Sequence, residues 1–200
     1  MERKIIDAYI RTGAFERETP QWLFNFLNDI FHFEIDLCAS KKNKKVEKFF
    51  SLERNAFKKK WRGNCWMNPP YGKPQNPCEP GCTKKTCTER GFHLDHYWPG
   101  VEDWLVRAYR QTKKYKGGNI VCLIPVRTAT QWFEFVWKNA AAVCFLRERL
   151  KFGKSTSTAL FPSAIAIFGE KIDRGVCSRL AEIGAVIDRE YGLIEPKKRG

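Results

Sequence analysis

The run Cys65-Trp66-Met67-Asn68-Pro69-Pro70-Tyr71 joins three apolar residues to a rigid Pro-Pro turn. Such a run reads as a buried strand with a fixed end, because neither proline has an N–H to carry pairing onward. The Asn68 side-chain oxygen and the Pro69 carbonyl then stay unpaired at that end. Both can point into a cleft, and Tyr71 sets an aromatic face beside them. Two converging acceptors would hold both N–H groups of an exocyclic amine and draw its nitrogen towards sp3 geometry, baring the lone pair for attack. Asn-Pro-Pro also serves as plain loop punctuation after a strand, and four residues alone do not decide between the two.

Working outward, strand and helix signals alternate. Thr19 reads as an N-cap with Pro20 at the first helical position, and Trp22, Leu23, Phe26, Leu27 and Ile30 fall on one helical face. Phe33 to Leu37 alternates like a strand, with Asp36 at the carboxyl end, where open α/β sheets gather their ligands. Val101 to Lys116 carries Trp104, Leu105, Ala108 and Tyr109 at helical spacing and stops at Gly117-Gly118. Asn119 to Ile124 is a buried-strand run, Gln131 to Lys138 a short helix, and Ala141 to Leu146 another strand. Ala164 to Phe168 and Ala185 to Asp188 supply late strands. This order predicts an α/β fold with a mostly parallel, Rossmann-like sheet. Asn55 falls where a next strand end can present it to an adenine edge, and reads equally well as a turn or cap asparagine.

Two hundred residues with 43% hydrophobic content suit one compact domain, taken here as 1–200. No 18-residue apolar run occurs, and Met1-Glu2-Arg3-Lys4 leads into mixed sequence, so a soluble protein without a membrane partner is expected. The net charge of +14 is concentrated at Lys41-Lys42-Asn43-Lys44-Lys45, Lys58-Lys59-Lys60-Trp61-Arg62, Lys113-Lys114-Tyr115-Lys116 and Lys197-Lys198-Arg199. One such run is usually a solvated face, but four favour a nucleic-acid partner. No obligate protein partner is evident.

Residues 73–100 break the pattern. This Pro- and Gly-rich segment holds Cys78, Cys82, Cys87 and His93, with His96 three residues on. Closely spaced soft ligands in an intracellular chain suggest a tetrahedral zinc site rather than disulfides. Three thiolates and one imidazole fill the coordination shell, so the metal would be structural. His93 is preferred over His96, and an uncoordinated loop with reduced thiols is the other reading. Cys38, Cys65, Cys122, Cys144 and Cys177 read as small core residues. An insertion directly behind Tyr71 should rim the cleft and either touch nucleic acid or restrict what enters.

Asn68-Pro69-Pro70-Tyr71 resembles motif IV of the S-adenosylmethionine-dependent amino-methyltransferases, which modify adenine N6, some RNA bases and protein glutamines. Thr19-Pro20, Asp36-Leu37-Cys38-Ala39-Ser40 and Ile124-Pro125-Val126-Arg127-Thr128, followed by Trp132-Phe133, are similar to the compact phage-type, Dam-like DNA N6-adenine methyltransferases. The likeness runs from Thr19 to Phe168. It implies a class I methyltransferase sheet with one antiparallel late strand, S-adenosylmethionine as cofactor and double-stranded DNA as partner. The implied catalytic residues are Asn68, Pro69, Pro70 and Tyr71, and the implied donor-binding residues Thr19, Pro20, Asp36, Ala39 and Asn55. Cys38-Ala39-Ser40 stands where many methyltransferases carry Gly-x-Gly, a substitute that the compact family shares.

The segment Arg147 to Gly153 is similar to one that the family places at the target base, which makes Phe152 a second wall opposite Tyr71, with Phe161 as its rival. Arg127 and Arg149 are implied phosphate contacts. The implied reaction is methyl transfer to N6 of an adenine extruded from duplex DNA, at a cost of a few kcal/mol that stacking on Tyr71 helps offset. The implied location is the cytoplasm of a bacterial host, with a phage or prophage gene. RNA or protein-glutamine methylation, and a non-catalytic zinc-stabilised nucleic-acid-binding module, are the alternatives.

Overall fold

The computed structural model describes residues 17–51, 55–153, 155–170 and 172–197. The first four residues and the cations Lys198 and Arg199 lie outside this range. Seven strands form one sheet: β1 (Ile35–Asp36), β2 (Cys65–Met67), β3 (Ile120–Pro125), β4 (Ala142–Leu146), β5 (Ser163–Phe168), β6 (Gly184–Asp188) and β7 (Gly192–Ile194). Their spatial order is β1-β2-β3-β5-β4-β6-β7. The helices among the described residues are α1 (Gln21–Phe31), α2 (Lys85–Arg90), α3 (Val101–Lys114), α4 (Gln131–Asn139) and α5 (Arg174–Leu180).

β3 and β5 are buried along their whole length, as continuous apolar runs at a sheet centre should be. Side chains alternate between two core layers. On one face Trp66, Val121, Leu123, Ile165 and Ile167 pack against α1 and α5. On the other, Cys65, Met67, Ile120, Cys122 and Ile124 meet α3 and α4 through Trp104, Leu105, Ala108, Phe133 and Val136. The result is a mixed α/β sheet with a helical layer on each side.

The strand directions differ from expectation. β1, β2 and β3 pair in parallel, while β3/β5, β5/β4, β4/β6 and β6/β7 are antiparallel. Two late strands, β5 and β6, therefore run against the others, where one was expected. Among the described residues no helix stands between β4 and β5, so the chain returns directly and slots β5 between β3 and β4; a same-direction return would need a crossover. β7 was not anticipated, since its short, exposed Gly192–Ile194 run carries no burial pattern.

α1 begins one residue later than expected. Pro20 occupies the N-cap and its carbonyl accepts from Leu23 and Phe24, while Thr19 caps nothing. Leu23, Phe24, Leu27 and Phe31 face the core, whereas Trp22 is exposed and Phe26 and Ile30 are half-buried. The buried stripe is thus turned from the predicted one, because Phe24 and Phe31 join Phe33 and Trp66 in an aromatic cluster.

Residues 73–100 leave and rejoin the fold at one point. The Val101 N–H donates to the Gly72 carbonyl at 3.0 Å, and a β-carbon on Gly100 would lie 2.4 Å from the Pro74 nitrogen, so only glycine permits this closure. Inside the segment, Gln75 and Trp98 exchange backbone hydrogen bonds, Cys78 donates to the Leu94 carbonyl, and Leu94 and Trp98 form a small core of their own.

Candidate active site

The site forms where β1 and β2 end side by side. Their parallel register pairs Asp36 with Trp66, so the chain behind Asp36 and the chain behind Met67 leave the same sheet edge. Between them opens a cleft of about 590 Å³, a size suited to a small organic ligand. Asp36, Ala39, Asn55, Asn68 and Tyr71 all line it.

Asn68 is held in one orientation. Its Nδ2 donates to the Arg17 carbonyl at 2.7 Å and to Thr19 Oγ1 at 3.1 Å. A carbonyl can only accept, so the amide must turn its NH2 to Arg17 and leave Oδ1 on the other side. Oδ1 accepts from the Tyr71 hydroxyl at 2.8 Å and keeps a second lone pair. Burial pushes the Tyr71 hydroxyl well above its ordinary range, so it stays a neutral donor. Among the described residues the Pro69 carbonyl accepts no hydrogen bond. Thr19, predicted as a cap, is instead buried with its hydroxyl accepting from Asn68. The neighbouring Pro20 does not line the cleft.

Asp36 is 3% exposed, and its Oδ1 and Oδ2 accept from the Cys38 and Lys45 N–H groups at 3.2 and 3.0 Å. Burial raises its carboxyl to about 6, against the pull of those two N–H groups and of Lys45. Asp36 therefore closes the 37–45 loop from within. Among the described residues, none of Cys38, Ala39 and Ser40 has a positive φ, so this turn forms without glycine. Burial, with the Asp36 charge adding to it, keeps the Cys38 thiol protonated.

Asn55 caps a short 3-10 turn, Ala56–Lys58, by accepting from the Phe57 N–H at 3.0 Å. It is a cap asparagine that also lines the cleft. Lys45, which the sequence marks only as part of a basic run, lines the cleft too; its ammonium lies 2.9 Å from Glu18 Oε1 and 3.0 Å from Gln21 Oε1. Trp104 contributes another wall, and its buried Nε1 has no partner among the described residues.

Phe152 and Phe161 both approach Tyr71, with ring centroids at 6.5 and 5.9 Å and near-perpendicular planes. The three rings cluster together, but neither phenylalanine lines the cleft and neither stacks parallel to Tyr71. The Arg17 guanidinium lies over Tyr71 and Phe161, 5.2 and 4.7 Å from their centroids. Arg127 is exposed just beyond β3, and Arg149 is exposed beyond β4 at the same sheet edge. Two of the basic runs adjoin. Arg107 donates to the Lys59 carbonyl at 2.7 Å, and Arg62 stacks on Tyr115 at 4.8 Å.

The four predicted metal ligands come together. One ligand atom each from Cys78, Cys82, Cys87 and His93 lies within 4.8 Å of the others. The Sγ atoms of Cys78 and Cys82 lie 3.5 and 3.7 Å from that of Cys87, near the edge of about 3.8 Å that a tetrahedral thiolate site requires. No disulfide joins any of the eight cysteines. The Leu94 N–H, then the His93 ring, bring the Cys78 thiol down to about 6, so a thiolate is available near neutral pH. His96 stands apart, with Nδ1 2.5 Å from Asp95 Oδ1. The group can hold a metal ion. His96, Tyr97, Trp98 and Pro99, just beyond it, line the same cleft as Asp36. The insertion thus walls the cleft.

Among the described residues, no helix is long and apolar enough to cross a membrane. The family model for DNA N-6-adenine-methyltransferase (Dam) matches residues 16–176. The chain is 26% identical, over 191 residues, to a DNA N-6-adenine-methyltransferase of Haemophilus phage HP1 (strain HP1c1), covering 91% of this chain and 89% of that one. It is also 26% identical over 135 residues to a DNA N-6-adenine-methyltransferase of Escherichia phage T1, covering 66% of this chain and 44% of the relative.

Proposed function

The chain belongs to the DNA N-6-adenine-methyltransferase (Dam) family, and from that premise we propose that it transfers the methyl group of S-adenosylmethionine to N6 of an adenine flipped from duplex DNA. The observation that carries the residue assignment is the double tether on the Asn68 Nδ2, which leaves Oδ1 beside the uncommitted Pro69 carbonyl. Asn68 Oδ1 and Pro69 O each accept one N–H of the adenine amine, fixing its lone pair for in-line attack. Tyr71 stacks on the base and its hydroxyl donates a hydrogen bond to Asn68 Oδ1, which keeps the amide from rotating. Pro70 holds the turn rigid. The amine proton leaves to solvent once the methyl group has arrived.

The cleft suits the donor. S-adenosylmethionine supplies an electrophilic methyl group, and the residues around it bind and orient it. Asp36 offers a carboxylate, Ala39 the small-residue turn, Asn55 an edge, and Trp104 a buried donor in want of an acceptor. Thr19 acts through Asn68, and Pro20 through the start of α1. Arg127 and Arg149 contact phosphates at the same edge, and Phe152 with Phe161 closes the base pocket. The antiparallel β5 between β3 and β4 supports a Rossmann-like, class I methyltransferase sheet in a single domain with the insertion 73–100.

The donor set of three sulfurs and one imidazole suits zinc held structurally by Cys78, Cys82, Cys87 and His93. Phage relatives support a site of action in the cytoplasm of a bacterial host. Comparing labelled methyl incorporation into DNA, RNA and protein tests the reading; label in RNA or protein but not in DNA would overturn it.

A further inference from the structure

We propose that Arg17 fills the target-base slot of the DNA-free protein as a planar cationic stand-in for adenine, and that base entry displaces it. The inference rests on Tyr71, Asn68 and Phe161 forming that slot.

Three observations support it. First, the guanidinium carbon lies over two rings at once, 5.2 Å from the Tyr71 centroid and 4.7 Å from that of Phe161. Guanidinium is flat and weakly hydrated, and it stacks on aromatic faces as a nucleobase does. Second, among the described residues the backbone around Arg17 is hydrogen-bonded, while its guanidinium makes no hydrogen bond or ion pair. The Arg17 carbonyl accepts from Asn68 Nδ2, the Glu18 carbonyl accepts from the Gly153 N–H at 2.8 Å, and Glu18 Oε1 lies 2.9 Å from Lys45. The side chain can therefore swing out without releasing Asn68. Third, Arg17 is an exposed residue, and no carboxylate among the described residues lies within ion-pair reach of it. The two rings are its side-chain partners among the described residues; their planes stand at 85°, so a flat group lies parallel to only one, and Tyr71 is the face on which the base would stack.

The consequence is a coupling between two events. Arg17 shields Tyr71 and Phe161 from water before substrate arrives. On displacement its positive charge is set free beside a polyanion, so expulsion of the arginine and capture of a phosphate favour each other. Arg17 is in this sense a positioning residue that guards the slot without touching the reacting amine.

The test is calorimetric titration of the full chain with 9-methyladenine while the donor pocket is saturated with S-adenosylhomocysteine. Arg17→Ala should bind this probe about tenfold more tightly than the parent, because two cation–π contacts no longer compete for the slot. Arg17→Lys, which keeps the charge but loses the flat stacking surface, should fall between them. A merely structural role would leave the affinity unchanged or weaken it in both variants, and either result overturns the proposal. Tyr71→Ala separates the two levels. If it abolishes probe binding while Arg17→Ala brings no gain, the slot stands and only the stand-in falls. If it leaves probe binding intact, the slot assignment fails and the stand-in with it.

Discussion

Replacing Asn68 separates holding the amine from holding the donor. Asn68→Ala removes three hydrogen bonds, two from Nδ2 at 2.7 and 3.1 Å and one to Oδ1 at 2.8 Å. Each neutral bond is worth about 1 kcal/mol net, and water reaches a half-buried site to recover part of that. The fold should lose about 1–2 kcal/mol, or about 2–8 °C in Tm for a domain of this size. Catalysis should lose more, since deleting one preorganised partner of a transition state costs about 10²–10³ in kcat. Asn68→Asp keeps an acceptor in place of Oδ1 but turns a second oxygen towards the Arg17 carbonyl, which Nδ2 now meets at 2.7 Å. That conflict costs about 1–3 kcal/mol, so its turnover should fall between those of parent and alanine variant. Single-turnover methylation of unmethylated genomic DNA, with donor titration by calorimetry, reads both quantities. Donor affinity should stay within about threefold of the parent, a margin below 1 kcal/mol. Undiminished turnover by Asn68→Ala, or a loss accounted for by weaker donor binding alone, would refute the reasoning.

The buried Asp36 should make donor binding depend on pH. Its carboxyl is raised to about 6, so below that pH it takes up a proton and loses the charge offered to the donor; affinity should fall on the acid side and be level above about pH 7, and Asp36→Asn should flatten the curve. The same shift has a stability sign. The folded state binds this proton more tightly than the unfolded chain, so Asp36 favours folding at low pH, and that contribution fades as pH rises from about 4 through 6, which thermal melts across that range can follow. Cys82→Ser should lower metal content to near zero by elemental analysis and weaken donor binding, because His96 to Pro99 wall the cleft; unchanged metal content would sink the assignment. Phe161→Ala should weaken probe binding in the base slot more than Phe152→Ala does, since Phe161 lies nearer Tyr71, whereas Phe152→Ala should cost more stability, being 9% exposed and part of the main core. Calorimetric titration and thermal melts of the two variants should give opposite rankings.

Much of this architecture is legible in local sequence, where one strong physical cause acts on a short stretch. The Pro-Pro stop behind Met67, the continuous apolar runs of β3 and β5, and four soft ligands within sixteen positions each carry their own signal. What was missed depends on partners distant in sequence. Thr19 has the chemistry of a helix cap, yet its hydroxyl is taken by Asn68, 49 positions on. The buried stripe of α1 is turned by Phe33 and Trp66, which no helical period within α1 reveals. β5 runs antiparallel because the described residues of the connection from β4 form no helix, and Arg17 carries no motif, only a place above two rings that the fold brings together. The spacing matches no known zinc module and so does not choose between His93 and His96; the folded segment brings His93 to the three cysteines while turning His96 to Asp95.

Transfer of labelled methyl from S-adenosylmethionine into unmethylated duplex DNA, followed by nucleoside analysis, bears most directly on the proposed reaction. Label confined to N6-methyladenine, and absent with Asn68→Ala, is the expected result. A folded, donor-bound protein that leaves DNA unlabelled, or labels another base, would contradict it.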